Sequence, residues 1–116
     1  MDDRLRDALK AANYMTAFNT QRQIMKQEYI DSCTYHRDGH RFSINRELIN
    51  FLSTLISMNH RQDIVILDDF ENPFMITDVV EFRNTVFNIY VESSNRYYHD
   101  YVKLRSSRSL EKILEV

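Results

Sequence analysis

The sequence predicts an α+β protein in which two long helices, one N-terminal and one C-terminal, flank two β-hairpins and a short central helix. Three observations lead there. The only glycine and the only proline fall in turn-forming pairs, Asp38-Gly39 and Asn72-Pro73. Towards both ends of the chain, apolar side chains recur every three or four residues, the period of a helix with one covered face. Around the two pairs the pattern changes to alternation or to a β-branched run, which is strand behaviour. A chain of 116 residues supports a single domain, 1–116.

The N-terminal arm spans 3–30, with Leu5, Ala8, Leu9, Ala12, Met15, Phe18, Met25 and Tyr29 as its stripe. Asp2 and Asp3 suit the positive end of its dipole. Arg22 falls within the stripe, and its guanidinium is expected to reach water along its apolar stem. The first hairpin spans 33–44. Asp38 and Gly39 both accept positive φ, so a two-residue loop pairs Tyr35 with Phe42 and Cys33 with Ile44. That register gathers all four on one face and leaves Thr34, His36, Arg41 and Ser43 on the other.

Ser43 or Asn45 can cap a short helix over 46–60, whose apolar side is Leu48, Phe51, Leu52, Leu55 and Ile56. Ile64 to Leu67 is a nearly continuous β-branched run, expected to be a strand covered on both faces. It returns through 68–73 to Phe74, Met75 and Ile76, completing a hairpin at 64–76. Thr77 is the expected cap of the C-terminal arm, 77–105, which carries Val79, Phe82, Val86, Ile89, Tyr90, Tyr97, Tyr101 and Leu104. Ser106, Ser107 and Ser109 weaken the pattern, so Leu110, Ile113 and Leu114 read as a separate short helix.

The composition is that of a globular chain, with 43% hydrophobic and 28% charged residues. A net charge of −2 lacks the basic excess of a dedicated nucleic-acid binder. Cys33 stands alone, so no internal disulfide can form, and a buried thiol in a reducing, cytoplasmic setting is expected. No apolar run reaches the roughly 20 residues that a bilayer crossing needs, so no membrane partner is expected.

His36, Asp38 and His40 resemble a ligand set, but the hairpin sends the two histidines to opposite faces and uses Asp38 in the turn. They read as solvated hairpin residues. Asp68, Asp69 and Glu71 lack the alternation and glycine of a calcium loop and read as a charged turn. Phe70, a large ring among those acids, either folds back as a plug or meets a partner. No glycine-rich phosphate cradle, nucleophile elbow or zinc-protease motif is present. The expectation is a protein that is not an enzyme, with no cofactor and no metal.

An arm of about 28 residues extends about 42 Å at 1.5 Å per residue, more than the roughly 35 Å diameter of a compact sphere of this chain length. Its apolar stripe then needs cover from the other arm or from another chain. Met25, Phe70, Tyr97, Tyr98 and Tyr101 are the candidate partner-binding residues, and a homo-oligomer or larger protein assembly is the expected partner. The alternative is a nucleic-acid-associated accessory factor, because Arg96, Tyr98, Lys103, Arg105 and Arg108 interleave cations with a ring in the way a single-strand surface does.

The segments Leu67-Asp68-Asp69-Phe70-Glu71-Asn72-Pro73 and Asn95-Arg96-Tyr97-Tyr98-His99-Asp100-Tyr101, set in this order of elements, resemble small uncharacterised proteins of T-even-like tailed phages. The resemblance spans most of 9–114 and implies a structural or prohead-assembly role in virion assembly. It also implies a location in the host cytoplasm or the virion. It transfers no functional residue.

Overall fold

A computed structural model describes residues 2–114, with side chains through Ser107. The elements follow in the order α1 (Asp3–Ser32), β1 (Thr34–Arg37), β2 (His40–Ser43), α2 (Arg46–Ser57), β3 (Ile64–Leu67), β4 (Pro73–Ile76) and α3 (Val79–Leu114). The two arms, the central helix and both antiparallel hairpins are therefore present. The chain forms two compact units: Ile30–Asn95, and a helical unit made from the segments before and after it.

The first hairpin adopts the register its turn dictates. Tyr35 pairs with Phe42, the Ile44 amide donates to the Cys33 carbonyl at 2.8 Å, and Asp38 and Gly39 take φ of 50° and 79°. The second hairpin differs from expectation at its tip. Pro73 is not a tip residue but the first residue of β4, opposite Leu67, where a missing N–H is tolerated. Glu71 takes the positive φ there, at 64°.

Helix boundaries are set by capping. Asn45, rather than Ser43, caps α2, its Oδ1 accepting from the Leu48 amide at 2.8 Å. The helix stops at Ser57, short of residue 60, because Asn59 turns left-handed at φ 66°. Its amide then donates to the Ile56 carbonyl and that of His60 to the Leu55 carbonyl, a Schellman closure with asparagine in glycine's usual place. Asp78, not Thr77, caps α3 by accepting from the Glu81 amide at 3.1 Å. Nor do the serines at 106, 107 and 109 break that helix: it continues to Leu114 without a separate final segment.

The core lies in the Ile30–Asn95 unit. Leu52, Val79, Phe82 and Val86 are completely buried, joined by Cys33, Phe42, Ile44, Ile49 and Ile76. Phe82 sits at the centre of the rings, edge-on to Phe42 at 5.3 Å and to Tyr35 at 5.6 Å. Such edge-to-face pairs add to the roughly 1.5–3 kcal/mol that burying each large apolar side chain contributes. From α2, the Ser53 hydroxyl accepts from Arg83 Nε at 3.2 Å, and the Arg83 guanidinium lies 4.6 Å from the Phe87 ring centroid.

In the helical unit no residue of α1 is fully buried. Tyr14, Phe18, Met25 and Tyr29 are half-buried, as are Tyr97, Tyr101 and Leu104 on α3. The rings of Tyr29 and Tyr97 approach to 5.0 Å. The segment that leads up to Tyr29 and the one that leaves Arg96 share this unit.

Candidate functional site

Two adjacent carboxylates tie the hairpins together. Asp68 is buried: Oδ1 accepts from the amides of Phe70 and Asn72, both at 2.9 Å, and Oδ2 lies 2.7 Å from His40 Nδ1. Asp69 Oδ1 accepts from the Ser43 amide and Oδ2 from the Ser43 hydroxyl, each at 2.8 Å, while its own amide donates to the Arg41 carbonyl. The first side chain thus folds the turn and holds β2, and the second grips the end of β2. Removal from water pushes the Asp68 carboxyl upward, but the hydrogen bonds from Asn72, His40 and Phe70 outweigh that, so its pKa lies below the ordinary 3.8.

These contacts correct two expectations. His40 is not a solvated hairpin residue, since it is half-buried against Phe74 at 4.9 Å and bonded to Asp68. Asp68 belongs to the interior and not to a solvated charged turn. His36 is exposed on β1, and Asp38 is in the turn. Among the described residues no cluster of three or more His, Cys, Asp or Glu is placed to hold a metal ion. Arg37 donates to Glu81 at 2.7 Å, and that bond raises the guanidinium pKa against the effect of burial.

The expected double cover of β3 is absent. Ile64 and Ile66 face inward, whereas Val65 and Leu67 are 54% and 60% exposed, with half-exposed Met75 beside Val65 on β4. A two-stranded ribbon lying on one side of a core has only one face to bury. The outward face continues into an open groove of about 510 Å³ between β3 and α2, whose lining includes Leu48, Phe51, Val65 and Leu67 together with the acidic Glu47 and Asp69. Phe70, at the turn tip, is 68% exposed and does not fold back as a plug.

Of the other candidate contact residues, Tyr98 is 71% exposed, whereas Met25, Tyr97 and Tyr101 are half-buried. On the nucleic-acid alternative, Arg96, Lys103 and Arg105 are all exposed, but they divide between faces. At about 100° per residue, Arg96 and Lys103 share one side of α3 while Tyr98 and Arg105 share the opposite side. Arg108 lies outside the described residues. Sequence reasoning missed the groove, because Ile64 to Leu67 is apolar at every position and marks no outward face. No family model, curated protein or solved structure matches the chain. No helix among the described residues is long and apolar enough to cross a membrane.

Proposed function

We propose that this protein is a non-enzymatic assembly factor that works by protein–protein contact. The observation that carries the reading is the outward face of β3–β4: Val65, Leu67 and Met75 stand exposed beside an apolar groove, with Phe70 exposed at the turn. Contiguous exposed apolar surface of this kind, bordered by polar groups, is the usual mark of a docking site. The long helices add Tyr98, Leu5 and Leu9 as further exposed apolar residues. The resemblance to T-even-like phage proteins extends the proposal to particle assembly, with the host cytoplasm or the virion as the place of work.

The accessory-factor reading rests on the exposure of Arg96, Tyr98, Lys103 and Arg105. Their division between two sides of α3 makes a single stacking and phosphate-binding track harder to build. Titration with single-stranded DNA at two salt concentrations separates the two readings. The assembly factor shows no binding at low salt and a mass above the 14.0 kDa of one chain by light scattering. Tight binding that weakens steeply with salt, by a chain that stays monomeric, overturns it in favour of the accessory factor.

A further inference from the structure

We infer that the first three turns of α1 in one copy of this protein seat in the β3–α2 groove of a second copy, giving a head-to-tail contact. The inference rests on the assembly reading above and names its partner. Leu5 and Leu9 are about half exposed, and with exposed Ala8 and Ala12 they share a single narrow strip of α1. At about 100° per residue these four positions fall within an arc of roughly 100°. Arg4 borders that strip on one side and Arg6 on the other, while Asp3, Asp7 and Lys10 occupy the back of the helix. An amphipathic helix with anchors at i, i+3, i+4 and i+7 is the form that apolar grooves accept.

The groove offers the complement. Its lining includes the apolar Leu48, Phe51, Val65 and Leu67 and the carboxylates of Glu47 and Asp69, although both oxygens of Asp69 already accept from Ser43. Among the described residues, Glu47, Arg4 and Arg6 take part in no ion pair, whereas Asp69 already faces Arg41 Nε at 3.7 Å, so Glu47 is the carboxylate left to meet a cation. The charge is divided in the same sense along the whole chain. Residues 1–29 and 96–116 carry ten basic and seven acidic side chains, whereas residues 30–95 carry five basic and ten acidic. Opposed potentials favour contact between unlike surfaces of two copies over contact between like ones. Since donor and acceptor are different surfaces, each bound copy leaves one of each free, and the contact propagates unless the rotation closes a ring.

Sedimentation velocity of the full chain over a concentration series tests this with two variants, each checked for native circular dichroism. Leu5→Glu/Leu9→Glu removes the donor and Leu67→Asp removes the acceptor. Each alone is expected to self-associate at least tenfold more weakly than the unsubstituted protein. Mixed together, they are expected to form a one-to-one dimer, because each keeps the surface the other lacks. The charge swap gives a second measure: Glu47→Lys weakens association, and Arg4→Glu/Arg6→Glu added as a separate copy restores it. A mixture of the two variants that stays monomeric overturns the inference. So does an unsubstituted protein that stays monomeric at every concentration, or an oligomer that neither variant disturbs. The last outcome refutes this contact alone and leaves the assembly reading standing.

Discussion

The Ile30–Asn95 unit and the helical unit are held by different means. Every buried hydrophobic residue among those described falls between Cys33 and Val86, gathered from two hairpins and two helices around Phe82. There the fold is fixed by interlocked rings and by side-chain hydrogen bonds between elements distant in sequence, such as Asp69 to Ser43. In the helical unit the described side chains are at most half-buried, and the rings of Tyr29 and Tyr97 lie 5.0 Å apart. Its helices are long, yet length adds little, because helical stability in proteins comes mostly from packing of the covered face. A chain can therefore be continuous in secondary structure and discontinuous in how firmly that structure is held.

Four substitutions probe that contrast. Phe82→Ala, at the centre of the rings, is expected to cost about 3–5 kcal/mol in denaturant unfolding. A cost below about 1 kcal/mol would show that the ring cluster is not what holds the unit. Asp68→Ala comes next: it strands the amides of Phe70 and Asn72 and should lower the melting temperature at neutral pH. Because the folded pKa of Asp68 lies below the ordinary value, its contribution is complete above pH 3.8 and fades as pH falls through the lower folded value. Melting temperatures of the wild type and Asp68→Ala should accordingly converge in strong acid, and a constant gap would mean that ionisation of Asp68 is irrelevant.

In the helical unit, Tyr97→Ala removes a half-buried ring and is expected to cost about 1–2 kcal/mol, less than half the effect at Phe82. Equal losses at the two sites would abolish the distinction between the units. The smallest effect belongs to Arg37→Ala. Its ion pair with Glu81 is partly solvated, so about 0.2–1 kcal/mol is expected, shrinking as salt is raised. A loss insensitive to salt would assign Arg37 a packing role instead.

The local elements were legible in the sequence because their causes are local. Asp38-Gly39 needs positive φ at both positions, and alternation on either side leaves one register that gathers Tyr35, Phe42, Cys33 and Ile44 on one face, the last three of them buried. The stripe of α3 was visible for the same reason, although Asp78 took the cap expected of Thr77, whereas on α1 the expected stripe held only at Phe18, Met25 and Tyr29, and Leu5, Ala8, Leu9, Ala12 and Met15 are exposed. What could not be read was long-range. The position of His40 beside Phe42 in the alternation placed it on the apolar face, but its acid partner lies 28 residues away. Asp68, followed by amides two and four residues on, carries the local pattern of an Asx turn. Its burial follows only from the docking of the second hairpin on the first. The one-sided exposure of β3 likewise depends on the number of layers in the fold, which a β-branched run of four residues does not encode.

The neighbouring carboxylates Asp68 and Asp69 also bear on where this protein can be altered. Surface turns are ordinarily the places where extra residues are accommodated. A peptide tag spliced between Leu67 and Phe70 would separate the Asp68 oxygen from the amides it gathers and pull Asp69 off Ser43, undoing two fastenings with one graft. The Asp38-Gly39 turn has open space where a glycine side chain would begin, although its left-handed backbone strains any replacement for Gly39 itself. Of the two hairpin tips, the one that looks stricter in sequence is thus the one with room around it, and the acidic one, though solvent-facing, is the tip to leave uncut.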